Sequence, residues 1–371
     1  MPRRRIDILR SLRSVYGRSA VPAAIVLLAM CCTASCGNGS DESRVSVGIS
    51  MPSKAQTRWV SEGESMAKAF TDSGYTAHLK FANEDAGLQA EQVQAMVDQG
   101  DKVLIISAVD SYELGDVLKV ASSRGVKVIA YDRLLMGTSD VDYYASFDNY
   151  KVGQLQGNYI INKLGLKEGA GPINVELFAG DPDDNNAGIF YNGSMDVLIK
   201  WIRNGKIVVK SNNIRTSQVT ILHWSGEDAE ATMATRLREH YGSAEVDAVL
   251  SPYDGISRGV VKALTDDGYG SGDKKMPLVT GQDAEVDSIK EIIAGKQSMT
   301  VFKDTRKLAT VAVDMAEAII KGGKPVVNDT EQYDNGNKVV PARLLEPVVV
   351  DKSNYRKLLI GSGYISDSQL R

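Results

Sequence analysis

Between residues 44 and 133, short apolar runs alternate with helix-patterned segments, and that alternation limits the possible folds more than any other feature of the chain. Residues 44–50, 76–82, 102–108 and 126–130 read as strands, while 58–73, 87–99 and 112–124 read as helices stopped at Gly74, Gly100 and Gly125. Strand and helix in regular turn imply a parallel sheet, because a parallel crossover is long enough to carry a helix. The pattern continues with a strand at 143–147 and a helix at 150–164 capped by Asp148-Asn149, then restarts after the turn at 167–172. Strands at 174–179, 207–211, 248–253, 278–281 and 299–302 are separated by helices near 186–203, 227–240, 256–267 and 284–294. A helix at 305–321 and one extended segment at 339–350 close the chain, and both are free to return across the earlier elements. The expected fold class is α/β, two doubly wound lobes rather than a solenoid, since no sequence repeat accompanies the repeated architecture.

In open sheets of this class ligands bind beyond the carboxyl ends of the strands. The strand at 126–130 runs into Asp132 and Arg133, a carboxylate that accepts from neighbouring hydroxyls beside a planar fork of donors. A single such pair would pass for a surface ion pair. Other strand ends repeat the chemistry: Arg58 and Trp59 after the first, Asp110 after the third, Asn185 and Asn186 after 179, Asp254 after 253, Gln282 and Asp283 after 281, and Lys303 after 302. Capping would account for Asp110 or Asn186 alone. Taken together these residues suit a neutral molecule rich in hydroxyls, each needing an acceptor on one side and a donor on the other. Trp59, next to Arg58 at a helix start and therefore not expected to be deeply buried, offers a flat face to the C–H side of a sugar ring.

The amino terminus is a separate object. Arg3, Arg4, Arg5, Arg10, Arg13 and Arg18 precede an apolar run at 20–32 that is too short for a stable membrane span, the pattern of a secretory signal over 1–35. Thr33-Ala34-Ser35-Cys36 with the polar stretch behind it resembles a bacterial lipobox, which implies lipidation of Cys36 and a flexible tether over 36–44. Cys31 and Cys32 would leave with the signal, so the mature chain has no cysteine for a disulfide, a thiol nucleophile or a metal site. Removing the leader's net +5 from the chain's −4 leaves −9, a poor balance for binding nucleic acid. His78, His223 and His240 are too scattered for a metal set, and neither a metal nor a cofactor is expected.

Met51-Pro-Ser-Lys54, Ala130-Tyr-Asp-Arg-Leu134, Val141-Asp-Tyr-Tyr-Ala-Ser-Phe-Asp-Asn149, Ala179-Gly-Asp-Pro-Asp-Asp-Asn-Asn-Ala187, Leu250-Ser-Pro-Tyr-Asp-Gly255, Val279-Thr-Gly-Gln-Asp-Ala284 and Thr300-Val-Phe-Lys303 resemble the solute-binding proteins of bacterial ABC sugar importers. Among these the chain is similar to the multiple-monosaccharide-binding branch, close to xylose-binding proteins, over nearly all of 45–371. The resemblance implies a type I periplasmic-binding fold whose lobes, 45–148 with about 303–330 and 149–302 with about 331–371, close on a monosaccharide through a multi-strand hinge. It implies sugar contacts from Arg58, Trp59, Asp110, Asp132 and Arg133 in one lobe and Asn185, Asn186, Asp254 and Asp283 in the other. Lys303 would stand near the crossover, with Asn149 and Gln282 as weaker candidates. Xylose-binding relatives carry a second Trp after the strand matching 207–211; here that stretch is Asn212-Asn-Ile-Arg-Thr216, so no second stacking face is expected. The implied partners are a monosaccharide and the membrane subunits of an ABC permease, the protein acting as a monomer. A sensor that presents sugar to a membrane receptor kinase is the alternative.

An enzyme fits less well. Asp132, Asp254 and Asp283 resemble paired glycosidase carboxylates in type, yet their cationic and amide neighbours favour ionised acceptors over a protonated acid. Asp181-Pro-Asp-Asp-Asn185 imitates a calcium loop but is followed by Asn186 where Gly belongs, and Gly268-Tyr-Gly-Ser-Gly272 follows a helix rather than a strand.

Overall fold

The computed structural model describes residues 44–371. The signal expected over 1–35, Cys36 and nearly all of the tether lie outside the described residues. The first half of the described chain runs β1 (Ser46–Met51), α1 (Thr57–Asp72), β2 (Thr76–Phe81), α2 (Ala86–Gln99), β3 (Val103–Ile106), α3 (Gly115–Ser123), β4 (Lys127–Tyr131) and β5 (Tyr143–Phe147). The second runs α4 (Asn149–Lys163), β6 (Ile173–Leu177), α5 (Asn185–Arg203), β7 (Ile207–Val208), a one-turn α6 (Thr216–Val219), α7 (Gly226–His240), β8 (Ala248–Leu250), α8 (Asp254–Asp266), β9 (Leu278–Val279), α9 (Val286–Ala294) and β10 (Met299–Phe302). The chain then returns as α10 (Thr305–Ile320), β11 (Ala342–Leu345) and β12 (Val348–Asp351).

The first sheet has the order β11-β5-β4-β3-β1-β2 and is parallel throughout. Its strands are apolar on both faces. Val103, Ile105, Ile129 and Tyr131 pack under α1 and α10, and the alternate Leu104, Ile106, Val128 and Ala130 pack under α2 and α3. The second sheet, β7-β6-β8-β9, is parallel and continues through a Gln282–Val301 bridge to β10, which pairs antiparallel with β12.

The return path corrects two expectations. The extended segment at 339–350 is two strands in two sheets, broken at Glu346-Pro347, where proline has no N–H to give to a ladder. Residues 331–345, assigned from sequence to the second lobe, belong with the first. Ala342 to Leu345 pair with Tyr144 to Phe147, and Tyr333 and Val340 enter the core under α2 and α3. The chain thus crosses between the sheets three times, at β5–α4, β10–α10 and β11–β12.

Helices α4 and α5 meet through glycine. A Cβ on Gly193 would lie 2.1 Å from the Tyr150 carbonyl oxygen, and one on Gly153 would lie 2.0 Å from that of Phe190. Such contact holds the start of α5 at the mouth of the crossing and leaves no room for a methyl. Gly193→Ala is expected to destabilise the protein by about 1–3 kcal/mol, read as a lower urea midpoint; an unchanged midpoint would show that the helices do not pack this closely.

Candidate functional site

Beyond the carboxyl ends of the two sheets, Arg58, Trp59, Asp132, Arg133, Asn186, Gln282, Asp283 and Lys303 line one narrow cavity between the lobes, the place where open α/β sheets bind ligands. Eight sequence-predicted residues from separate strand ends therefore converge.

Asp132 leaves β4 with φ +59, in the left-handed region that Asp tolerates better than most residues. Its backbone carbonyl accepts from the Tyr144 hydroxyl at 2.7 Å, the Ser146 hydroxyl at 3.0 Å and, from the second lobe, Asn186 Nδ2 at 2.8 Å. With the turn held, its carboxylate meets Arg58, Nη2 to Oδ1 at 3.0 Å. Arg58 also contacts Glu62 through Nε at 2.8 Å and, across the cleft, Asp283 through Nη1 at 3.6 Å. Lys303 is 2% exposed and stands 3.0 Å from the other Asp283 oxygen. Arg133 spans the lobes too, with Nη1 donating to the Ala108 carbonyl at 2.9 Å and Nε 3.0 Å from Asp184.

These charges fix one another's state. Burial alone would push the Asp132 carboxyl up; Arg58, then Lys303 and Arg133, outweigh it and hold the group below its usual range, so it is an ionised acceptor. Burial pushes Glu62 up against the pull of Arg58, and Tyr131 donates a hydrogen bond to it. With every cation already facing a carboxylate, the cavity has no excess positive charge for an anion.

Polar satisfaction is incomplete around the cavity, and nowhere is this clearer than in its lining side chains. Trp59 Nε1, Trp224 Nε1, Arg133 Nε, Gln282 Oε1 and Asp283 Oδ1 are buried without a hydrogen-bond partner among the described residues. Arg133 Nε and Asp283 Oδ1 lie close to an opposite charge, at 3.0 Å each, but the alignment is not that of a hydrogen bond. Buried groups of this kind are normally paired. Trp59 Nε1, Trp224 Nε1 and Gln282 Oε1, which form no ion pair, leave the lining with both donor and acceptor capacity.

Trp224 places a second indole at the cavity, from a turn downstream of the 212–216 stretch. It follows His223, both at positive φ (+55 and +52), and packs edge-on against Tyr253 and Phe190, with ring centroids 5.9 and 6.4 Å away. All three line the cavity. The ring fits because position 180 is glycine; a Cβ there would stand 2.0 Å from Trp224. Sequence periodicity misses it because 222–224 is a strand-free kinked turn, and Gly180 in the Ala179–Ala187 motif is the only available signal. Asp184, passed over for its neighbours Asn185 and Asn186, caps α5 by accepting from Asn186 N at 2.9 Å and pairs with Arg133. Trp59 is 2% exposed, deeper than its helix-start position suggested, because both lobes cover it.

Four sequence candidates stand elsewhere. Asp254 is fully buried beneath the cavity, accepting from Glu285 N at 2.9 Å, Gln297 Nε2 at 2.8 Å and the Thr300 hydroxyl at 3.1 Å; it shapes the loop that carries Asp283. Asn149 lies between the sheets and donates to Asn186 Oδ1 at 2.8 Å. Asn185 meets the first lobe only through its backbone N–H, 3.3 Å from the Ser111 hydroxyl. Asp110 accepts from Tyr112 N at 2.8 Å and lines an adjoining outer chamber. Among the described residues no group of three or more His, Cys, Asp or Glu is placed to hold a metal ion, and no helix is long and apolar enough to cross a membrane.

Residues 47–324 match the periplasmic binding protein domain family. The multiple sugar-binding periplasmic protein SbpA of Azospirillum brasilense is 53% identical over 89% of this chain and 92% of its own. The D-xylose-binding periplasmic protein of Escherichia coli K12 is 32% identical over 93% of this chain and 98% of its own. Among solved structures, an ABC transporter solute-binding protein from Clostridium phytofermentans with bound β-D-glucose is 45% identical, covering 88% of this chain and all of that one with a TM-score of 0.84.

Asp254→Ala removes the acceptor shared by Glu285 N, Gln297 Nε2 and the Thr300 hydroxyl, of which Gln297 keeps the Met299 carbonyl, and is expected to cost about 1–3 kcal/mol of stability in the absence of any ligand. Calorimetry on the purified variant checks this; an unshifted melting temperature would return Asp254 to the candidate ligand contacts.

Proposed function

The chain belongs to the periplasmic binding protein family, and on that premise we propose that it captures a monosaccharide, an aldose in its pyranose form, between its lobes and delivers it to an ABC permease from the outer face of the cell membrane. The observation that carries the reading is the set of unpaired donors and acceptors around one charge-balanced cavity. A sugar hydroxyl is donor and acceptor at once, so a ring of them satisfies both sets, which an anion or an apolar ligand does not. Asp132, Asp283 and Gln282 accept from hydroxyls; Arg58, Arg133, Asn186 and Lys303 donate to them; Trp59 and Trp224 offer aromatic surface to the C–H faces of the ring.

Sugar between the lobes favours closure because each lobe holds only part of this set. Arg58–Asp283, Arg133–Asp184 and Asn186 to the Asp132 carbonyl already join the two lobes, so the ligand adds its contacts to a preformed clasp. The family is one of binding proteins, and the ionised, cation-paired Asp132 suits a hydroxyl acceptor rather than a general acid. Lipidation of Cys36 would hold the protein at the membrane, and anchoring there expects more than one acyl chain. Glucose and xylose, bound by the glucose-complexed relative and named for the xylose-binding one, are the first ligands to try.

A thermal-shift screen of the purified protein against xylose, glucose, galactose, arabinose, ribose and fucose is the direct test. A ligand at about 100 times its Kd adds about 2.7 kcal/mol of stability, a rise of several degrees. No rise with any aldose would exclude the ligand class. Trp224→Ala is expected to weaken the best aldose roughly tenfold through lost stacking; a wild-type isotherm from titration calorimetry would remove Trp224 from the site.

A further inference from the structure

A second, outer chamber adjoins the cavity. Gln56, Trp59, Arg133 and Trp224 line both, so two indoles and a guanidinium form the partition. The outer chamber, like the inner one, is built by both lobes, and the two approach each other along it where Ser111 N donates to the Asp183 carbonyl at 3.1 Å.

Its chemistry differs from that of the inner cavity. Asp110, Asp181, Asp183 and Glu84 face Arg133 and His223, an excess of acceptors where the inner cavity is balanced. Asp181 is committed to the fold, taking His223 N at 3.0 Å and Asp183 N at 3.2 Å, whereas Asp183 stays exposed at the chamber wall with its carboxyl pushed up by partial desolvation and by the charges of Asp181 and Asp110. Arg133, Trp59 and Trp224, each about nine-tenths buried or more, bring to the partition N–H groups that lack a hydrogen-bond partner among the described residues. Carboxylates with an aromatic partition suit a ring whose hydroxyls or amine point outward and whose face lies on indole.

We propose that the outer chamber is a second sugar subsite, so that the protein also takes a disaccharide, one ring in the inner cavity and a neutral or amine-bearing second ring between Asp110, Asp183 and Glu84. This rests on the reading of the inner cavity as an aldose site. A second ring carrying a carboxylate is disfavoured by the same acidic wall.

Titration calorimetry on the purified protein compares glucose and xylose with cellobiose, maltose, gentiobiose and xylobiose, in wild type, Asp183→Ala and Glu84→Gln. At least one disaccharide is expected to bind within about tenfold of its monosaccharide. Loss of a charge-assisted acceptor in Asp183→Ala then weakens that disaccharide about tenfold and leaves the monosaccharide within about twofold; Glu84→Gln, also exposed on that wall, gives the same contrast if Asp183→Ala fails to fold. Monosaccharide binding with no disaccharide binding overturns the subsite and makes the chamber an entry vestibule, while the aldose reading stands. Disaccharide binding that neither variant weakens selectively also overturns it. If neither sugar class binds, the aldose reading falls and the subsite with it.

Discussion

A guanidinium withdrawn from water must be given carboxylates, and Arg58 takes them from both lobes. Glu62 and Asp132 approach from its own side and Asp283 from the other. Removing any one would leave a buried charge short of its partners, a larger penalty than the pair itself is worth. The closed geometry of the cleft follows from this arrangement, as does its neutrality toward ligand. Lys303 balances Asp283, Arg133 balances Asp184, and what remains unpaired is hydrogen-bonding capacity rather than charge.

Around that charge cluster the fold supplies rigidity where the site needs it and freedom where closure needs it. The Asp132 turn is held by two hydroxyls of β5, and the Asp283 loop by the buried Asp254 beneath it. Between the lobes run three strand-end crossings, with Asn186 donating to the Asp132 carbonyl and Asn149 to the Tyr144 hydroxyl across the gap. Hinge motions of this kind are absorbed by a few residues at element ends. The clasp of side chains seen here is made of contacts that opening would give back to water.

Three large side chains are shared by the two adjoining chambers. Trp59 and Trp224 are walls of the inner cavity and the floor of the outer one, and Arg133 belongs to both. The acidic outer wall has the same sign as the chain's formal net charge of −4, a balance that does not favour nucleic acid.

Strand periodicity and strand-end chemistry are legible in the chain because both are local. An apolar run between glycine-stopped helices marks a parallel strand, and its next residue marks the binding crevice, so Asp132, Arg133, Asp283 and Lys303 stand out from the sequence unaided. Trp224 does not, because a kinked turn has no period and its ring is seated by Gly180, more than forty residues away. Asp254 misleads for the complementary reason: an acid after a strand looks the same whether it faces the crevice or three donors beneath it. Likewise Asn149 reads as a ligand contact but stands between the sheets, bonded to Tyr144 and Asn186, and the path of 331–345 back into the first sheet depends on partners nearly two hundred residues earlier. The sequence by itself determined the fold class, the ends of the strands and the type of ligand, since backbone pattern and side-chain chemistry are written residue by residue. Which side chains meet in the cavity, and which are spent beneath it or between the lobes, only the tertiary structure decided, because direction and distance across the cleft arise from packing between segments far apart in the chain.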